Sequence, residues 1–469
     1  MAVMLQRYKN MARFTLLYWA AVFAGILLWT RDWEFVRLAS TKQQEDLFGL
    51  FAFCVFCVIT TMVWSDIRQN GKVTIEKIIL LGVPYVVSLI FLSQTVELSF
   101  GSWDYQQYED AFRAVVNGSN PYAGTRYLYP PLFADLMAFV HRIGLRFFSY
   151  LDFGKSAWVF VFYIHQASLL YFLLLNYFLS IEFAKLIGIK EIQGLLLASA
   201  LYLFNIPVLR TISNNQVNFY ILTSILLVLI LVWEYPFMAG VAAAVGGLIK
   251  LYPFALSFPL FFMKRWKALA GIVVGSFVII AVETKFFLDF ELWKQFFNFY
   301  LSFPVEQESL LFRNSSPMSL IRSTFGFLGL PEAFLQLAFI GILISVFIWF
   351  GVRFYQRETI KPLDSADFMP LDVFRGVGHL LDFSVISLFI APSAWEHHYV
   401  IAVPLGIWVF ALRSRDALMK SLVALVLVFV LPVFNIYPFS YLRMVGLIML
   451  LILVSPKNLK KTLDEHVSV

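Results

Sequence analysis

Ionisable residues are scarce in this chain, and where they stand is therefore informative. Asp104 directly follows an apolar run and opens the segment Asp-Tyr-Gln-Gln-Tyr-Glu-Asp-Ala-Phe-Arg-Ala-Val-Val-Asn-Gly, which ends at Gly118. A carboxylate there can act as a general base that takes the proton of an attacking hydroxyl. It can equally be a helix cap, because Asp is favoured at that position and the helix dipole keeps it ionised. Glu109 and Asp110 are the nearest alternative bases.

Lys250 lies in the middle of an apolar run. Charges inside membranes usually face a cavity, which suits a phosphate contact; the alternative is a side chain that snorkels to an interface. Arg313 and Arg322 carry forks that fit phosphate, or they are solvated loop charges. His397 and His398 suit hydrogen bonding to a sugar or phosphate, or protonation of a departing phosphate, or interfacial packing. On one helix adjacent residues project about 100° apart, and no third ligand is in view. No metal site is expected.

The elements that must position these residues are membrane spans. The 469 residues are 60% hydrophobic and 14% charged, with mean hydropathy +0.77, far from the usage of soluble domains. Backbone polar groups must pair internally in hydrocarbon, so apolar runs between charged breaks read as helices. These are Phe14 to Trp29, Leu47 to Trp64, Ile78 to Phe100, Ala157 to Phe183, Gly194 to Leu209, Val217 to Trp233, Leu269 to Val282, Ala333 to Tyr355, Leu380 to Pro392, Tyr399 to Leu412, Leu418 to Phe434 and Tyr441 to Val454. Pro131 to Phe148 and Phe237 to Met263 are ambiguous, the second broken by Lys250 and Pro253. The expected fold is an all-α polytopic membrane protein of about 12 to 14 transmembrane helices.

The formal charge of +6 comes from Lys and Arg scattered through short loops, which argues for topology signals and against nucleic acid. Arg7, Lys9 and Arg13 before the first run, and Lys457, Lys460 and Lys461 after the last, predict cytoplasmic termini. The first run has no small-residue cleavage site after it and reads as a retained anchor. Cys54 and Cys57 share one face of an apolar run and read as packing residues. Parity places the segment from Ser102 to Tyr129 outside; the positive-inside rule makes Pro131 to Phe148 at least partly interfacial. Tyr105, Tyr108, Phe112 and Val115 recur at helical spacing and predict a short amphipathic helix on the membrane surface. Gly118 ends it, which explains Asn117-Gly118-Ser119 more simply than a glycosylation acceptor does. Asn120-Pro121 then starts a turn, and Pro130-Pro131 force an extended approach to the bilayer.

The order of Asp104, Tyr108, Gly118, Asn120-Pro-Tyr122 and Tyr127-Leu-Tyr129-Pro-Pro resembles glycosyltransferase family 87. Later matches follow in the family's order. Asn215-Gln216-Val217-Asn218 resembles its Gly-Gln-x-Asn, with Asn215 in place of Gly. Lys250-Leu-Tyr-Pro253, then Lys264-Arg265-Trp266, resembles its Lys-x-x-Pro and basic-Trp pair. Asn314-Ser315-Ser316 with Arg322 resembles its Asn-Gln-Ser and Arg, with Ser315 departing from Gln. Ser393-Ala-Trp395-Glu396-His397-His398 resembles its Ser-Trp-Asp-His-His.

The resemblance implies a GT-C-type bundle over residues 78–469, with 1–77 as additional N-terminal spans. It implies transfer of a sugar, mannose above all, from a polyprenyl-phosphate donor to a hydroxyl of an extracytoplasmic glycolipid or envelope glycan. Asp104 corresponds to the family's base. Lys250, Arg322, His397 and His398 would hold the donor phosphate, and Tyr108, Asn120, Tyr122, Tyr129, Gln216, Asn314, Trp395 and Glu396 would contact substrate. One base without a second carboxylate at a suitable spacing implies a single inverting displacement. Neither metal nor other cofactor is expected, because protein cations can hold a monophosphate. The partners expected are the lipid-linked donor, the acceptor and the bilayer of the cell membrane. A transporter or lipid flippase is the main rival, although the polar aromatic loop has no evident part in transport. A scaffold subunit of an envelope-biosynthesis complex is the weaker one.

Overall fold

The computed structural model describes residues 11–24, 58, 74–97, 103–123, 127–148, 154–302, 314–360, 370–391, 393–412, 417–434 and 436–456. Arg7, Lys9, Cys54, Cys57, Arg313, the C-terminal lysines and, Val58 apart, the expected span Leu47 to Trp64 lie outside these residues.

The described residues are helical, and their one β feature is an isolated bridge between Asn314 and Trp395. In chain order the helices are α1 (Met11–Ala24), α2 (Ile75–Glu97), α3 (Trp103–Val116), α4 (Pro131–Phe148), α5 (Gly154–Leu186), α6 (Glu191–Leu203), α7 (Ile206–Ser213), α8 (Asn218–Leu231) and α9 (Pro236–Ile249). A 3-10 turn, Tyr252–Leu256, leads into α10 (Ser257–Phe262), followed by α11 (Trp266–Glu283), α12 (Glu291–Ser302), α13 (Pro317–Leu328), α14 (Leu335–Glu358) and α15 (Leu371–Ile390). A second 3-10 turn, Glu396–Ala402, precedes α16 (Val403–Leu412), and α17 (Leu418–Leu425) runs through a π turn, Val426–Val430, before α18 (Leu442–Leu453).

Burial separates inner helices from outer ones. The most apolar windows of α5 and α15 are 78% and 83% buried in protein, whereas those of α14 and α11 are 17% and 28% buried and turn Phe347, Ile344, Phe277 and Val273 outward. An apolar exterior of this kind is what lipid requires. Close helix contact uses small residues, as expected where lipid is as apolar as the side chains. A Cβ on Gly240 would stand 1.9 Å from the Ala268 carbonyl oxygen, and one on Gly271 would stand 2.1 Å from that of Phe237, so α9 and α11 touch backbone to backbone. α1 is seated on α5, where Tyr18 Oη donates to the Ala167 carbonyl at 2.7 Å.

Among the described residues five helices are long and apolar enough to cross a membrane, or six if the bent pair α6 and α7 is one span, which makes this a multi-pass membrane protein. The expected count of about 12 to 14 is not reached among the described residues, because several apolar runs are not continuous helices. The run Gly194 to Leu209 bends by 50° between α6 and α7, where Asn205 caps α7 by accepting from Val208 N at 3.0 Å. The run Tyr399 to Leu412 starts as a 3-10 turn, and α9, at 14 residues, stops at Lys250. Such a helix rises only about 21 Å, short of the hydrocarbon thickness. The ambiguous Pro131 to Phe148 is one helix with those bounds and is not among the helices apolar enough to span.

Candidate active site

α3 presents its aromatic face inward. Tyr105, Tyr108, Ala111 and Phe112 are buried, and the Tyr105 ring stacks over His165 at 5.7 Å. Asp104 is half-buried in the first turn, one turn before Tyr108 and on the same face. Burial first, then Tyr129 and the charge of Asp104, push the Tyr108 phenol well above its usual range and keep it a hydrogen-bond donor. The alternative bases are placed otherwise: Glu109 accepts from Arg113 Nε at 2.9 Å, and Asp110 is exposed. Gly118, at φ +70°, ends the segment.

Gln216 is the hub of this half of the site. Its Oε1 accepts from Tyr108 Oη at 2.9 Å and from Tyr129 Oη at 3.1 Å. The turn that sets it there is made by Asn215 at φ +54°, a left-handed conformation that Asn tolerates better than most residues. Asn215 is held by His165 Nε2 on its carbonyl, at 3.0 Å, and by Gln166 on its side chain. Asn in the family's Gly position therefore still makes the tight turn.

Lys250 defines the other half. α9 ends at this residue, whose backbone is extended, because Pro253 has no N–H to continue the helix and its ring would meet the carbonyl four residues earlier. The ammonium is buried. It donates to Asn218 Oδ1 at 3.0 Å and lies 2.9 Å from His398 Nε2, 5.2 Å from the Tyr129 ring centre and 4.9 Å from that of Tyr252. A charged Lys250 can only donate, so Nε2 accepts and the imidazole proton sits on Nδ1, 3.3 Å from Tyr252 Oη. The Trp395 N–H, also 3.3 Å from Nδ1, then points at a protonated nitrogen and contributes nothing.

The turn carrying Glu396, His397 and His398 aims its three side chains in three directions, as a 3-10 turn must. His398 faces Lys250. His397 has Nδ1 3.4 Å from Asn214 Nδ2, and its carbonyl accepts from Asn218 Nδ2 at 3.2 Å. Glu396 is gripped by two arginines, from Arg210 Nε at 3.1 Å and from Arg443 Nη2 at 2.7 Å. Below the turn, Asn314 Oδ1 accepts from Ala394 N at 2.8 Å, and the Asn314 backbone bridges that of the half-exposed Trp395.

Contacts therefore join Tyr108, Gln216, Tyr129, Lys250, His398 and His397, which the sequence scatters over nearly three hundred positions, and Asp104 stands one turn before the first of them. Four expected substrate contacts are engaged in building the site. Asn120 Oδ1 closes a turn on Tyr122 N at 2.8 Å, and Tyr122 Oη donates to the Tyr129 carbonyl at 3.0 Å. Asn314 holds the Trp395 strand, and Glu396 holds arginines. Arg322 is half-buried in the second turn of α13, and the chain of contacts from Tyr108 to His398 does not run through it. Sequence reasoning passed over Arg210, Arg443 and the acceptor role of Asn218. An arginine inside the apolar run Tyr441 to Val454 was the available signal.

A multi-pass helical membrane protein with a buried lysine–histidine pair among polar and aromatic side chains is the class that fold and site define. The chain belongs to glycosyltransferase family 87, whose model matches residues 127–366, and it is a glycosyltransferase on that ground. The matched stretch holds Tyr129, Gln216, Lys250, Asn314 and Arg322; Asp104 and the Trp395 to His398 turn lie outside it. No curated protein and no solved structure matches the chain.

Proposed function

We propose that this enzyme moves a sugar, most readily mannose, from a polyprenyl-phosphate donor to a hydroxyl of an extracytoplasmic glycolipid or envelope glycan. The observation that carries the reading is the contact chain from Tyr108 through Gln216 and Tyr129 to Lys250 and His398, with Asp104 one helical turn before Tyr108. It supports a base at one end of a row of aromatic and amide side chains and an anion-binding pair at the other.

Asp104 takes the acceptor proton as the acceptor oxygen bonds to the anomeric carbon. The bond from that carbon to the phosphate oxygen breaks, and its electron pair leaves with the polyprenyl phosphate. An aspartate carboxylate is too weak a base to ionise a hydroxyl beforehand, so the proton moves in concert with attack. Lys250, with His398 fixing its direction, stabilises the charge gathering on the phosphate, and His397 and Arg322 supply further contacts at its edge. One base and a single displacement give inversion. The phosphate is held by protein cations, and the reaction requires no metal. The positive-inside rule puts both termini in the cytoplasm and α3 on the outer surface of the cell membrane.

The test is initial-rate transfer of labelled mannose from polyprenyl-phosphate mannose by the purified enzyme in nanodiscs, with the pentose donor and a nucleotide sugar in parallel. Label appears from the lipid donor, with chelator present. Transfer from the nucleotide sugar alone overturns the donor assignment; facilitated movement of the lipid without transfer restores the flippase reading.

A further inference from the structure

Arg210 follows directly on the apolar run Gly194 to Leu209 and reads, from sequence, as an ordinary charge at the end of a span. The structure puts it elsewhere. It sits on α7, one turn before Asn214 and on the same face, and Asn214 reaches the His397 ring. Its Nε is held by Glu396 Oε2, while its side chain is 41% exposed and neither terminal nitrogen bonds to a described residue.

Glu396 does not neutralise this corner. Its other oxygen belongs to Arg443, which also donates to the carbonyls of Val428 and Leu431 at 2.8 and 2.7 Å and is buried. Glu396 is thus one carboxylate shared by two guanidiniums, Arg210 and Arg443. Arg443 is buried with both terminal nitrogens bonded, whereas Arg210 is half open and stands one turn before Asn214, which reaches the His397 ring. Two guanidiniums on one carboxylate leave a net positive charge that favours an anion. A guanidinium anchored by Nε presents its two terminal nitrogens as a fork, the geometry that grips phosphate oxygens.

We infer that Arg210 is a cationic ligand of the donor's phosphate in addition to Lys250, and that Glu396 is the residue that positions it. This rests on the polyprenyl-phosphate reading above. As the sugar–phosphate bond breaks, the phosphate passes from one negative charge to two, so Arg210 holds the departing polyprenyl phosphate more tightly than the intact donor.

The experiment compares binding of a polyprenyl phosphate with that of the corresponding polyprenol to wild-type enzyme and variants in nanodiscs. Arg210→Ala weakens the phosphate by about tenfold to a hundredfold, the span of a lost charge-assisted hydrogen bond, and leaves the polyprenol unchanged. Arg210→Lys keeps the charge and loses the fork, so it recovers part of the preference and carries the test if the alanine variant does not fold. Glu396→Gln shifts the phosphate preference in the same direction by less. An unaltered preference in the folded Arg210 variants overturns the assignment. Were the wild type itself to bind polyprenol as well as polyprenyl phosphate, the donor reading would fall, and not Arg210 alone.

Discussion

Two regions of this protein bury charge, and they do it differently. Between α14, α15 and α18, Asp382 accepts from Arg353 Nε and Nη2 at 3.0 and 2.7 Å and pairs with Arg357 Nη2 at 3.0 Å. Arg353 Nη1 bonds the Leu451 carbonyl at 2.6 Å, and His379 links Arg357 to Glu358. Gly378 makes the room, since a Cβ there would stand 2.5 Å from Arg357 Nε. Here three guanidiniums, Arg353, Arg357 and Arg375, meet two carboxylates, and Asp382, Arg353 and Arg357 are at most 3% exposed. At the other region two guanidiniums share Glu396, and the Arg210 side chain is 41% exposed. A charge cluster closed by its protein partners joins helices; a guanidinium left half in the open can take a ligand.

The comparison breaks most easily at Asp382. Asp382→Asn leaves two buried guanidiniums facing an amide and should cost about 3–5 kcal/mol of stability, with transfer per folded molecule preserved. Thermal melting in detergent beside specific activity is the measurement. Lost transfer at unchanged melting temperature would put this clasp in the mechanism and erase the distinction.

Asp104→Asn should do the reverse. The amide keeps the shape and some capping ability, so folding and donor binding persist while transfer drops by at least about 100-fold. Glu109→Gln and Asp110→Asn cost far less, because Glu109 is tied to Arg113 and Asp110 is exposed. Near-normal rates from purified Asp104→Asn in nanodiscs would reduce that carboxylate to a helix cap.

Lys250→Ala should weaken donor binding by about 2 kcal/mol or more, roughly thirtyfold, and acceptor binding much less. Arg322→Ala shifts in the same direction by a smaller factor, because Arg322 is only half-buried whereas Lys250 is buried against His398, and Arg322→Lys recovers only part of the loss. Separate KM values for donor and acceptor decide. Equal changes in both would make these residues packing elements.

The sequence announced residue types well and partners poorly. The helix after Asp104, the bounds of α4 and the break at Lys250 and Pro253 were legible because spacing, charge and proline act locally. The continuity of a helix was less so: hydropathy registers the apolar run Gly194 to Leu209 but not the 50° bend that Asn205 caps. Glu396 enters the expected substrate contacts through the resemblance of Ser393 to His398 to the family's Ser-Trp-Asp-His-His. The structure adds its two arginine partners, Arg210 186 residues away and Arg443 47 residues away, and nothing local marks those pairings. Asn120, Tyr122 and Asn314 likewise make hydrogen bonds to backbone groups that no local pattern announces.

Asn215 offers the finest test, because it belongs to the site's framework while Gln216 beside it faces the tyrosines. Its left-handed backbone costs an ordinary L-residue about 1–2 kcal/mol, and its side chain accepts from Gln166. Asn215→Ala keeps the strain and loses the bond, so it should lower stability by about 2 kcal/mol and loosen the Gln216 hub. Asn215→Gly loses the same bond but adopts φ +54° freely, so the cost should shrink to about 1 kcal/mol or less, with transfer close to wild type. Melting temperature and initial rate on the two variants settle the matter. A glycine variant as impaired as the alanine one would mean that the Asn215 side chain, and not its backbone, is what places Gln216.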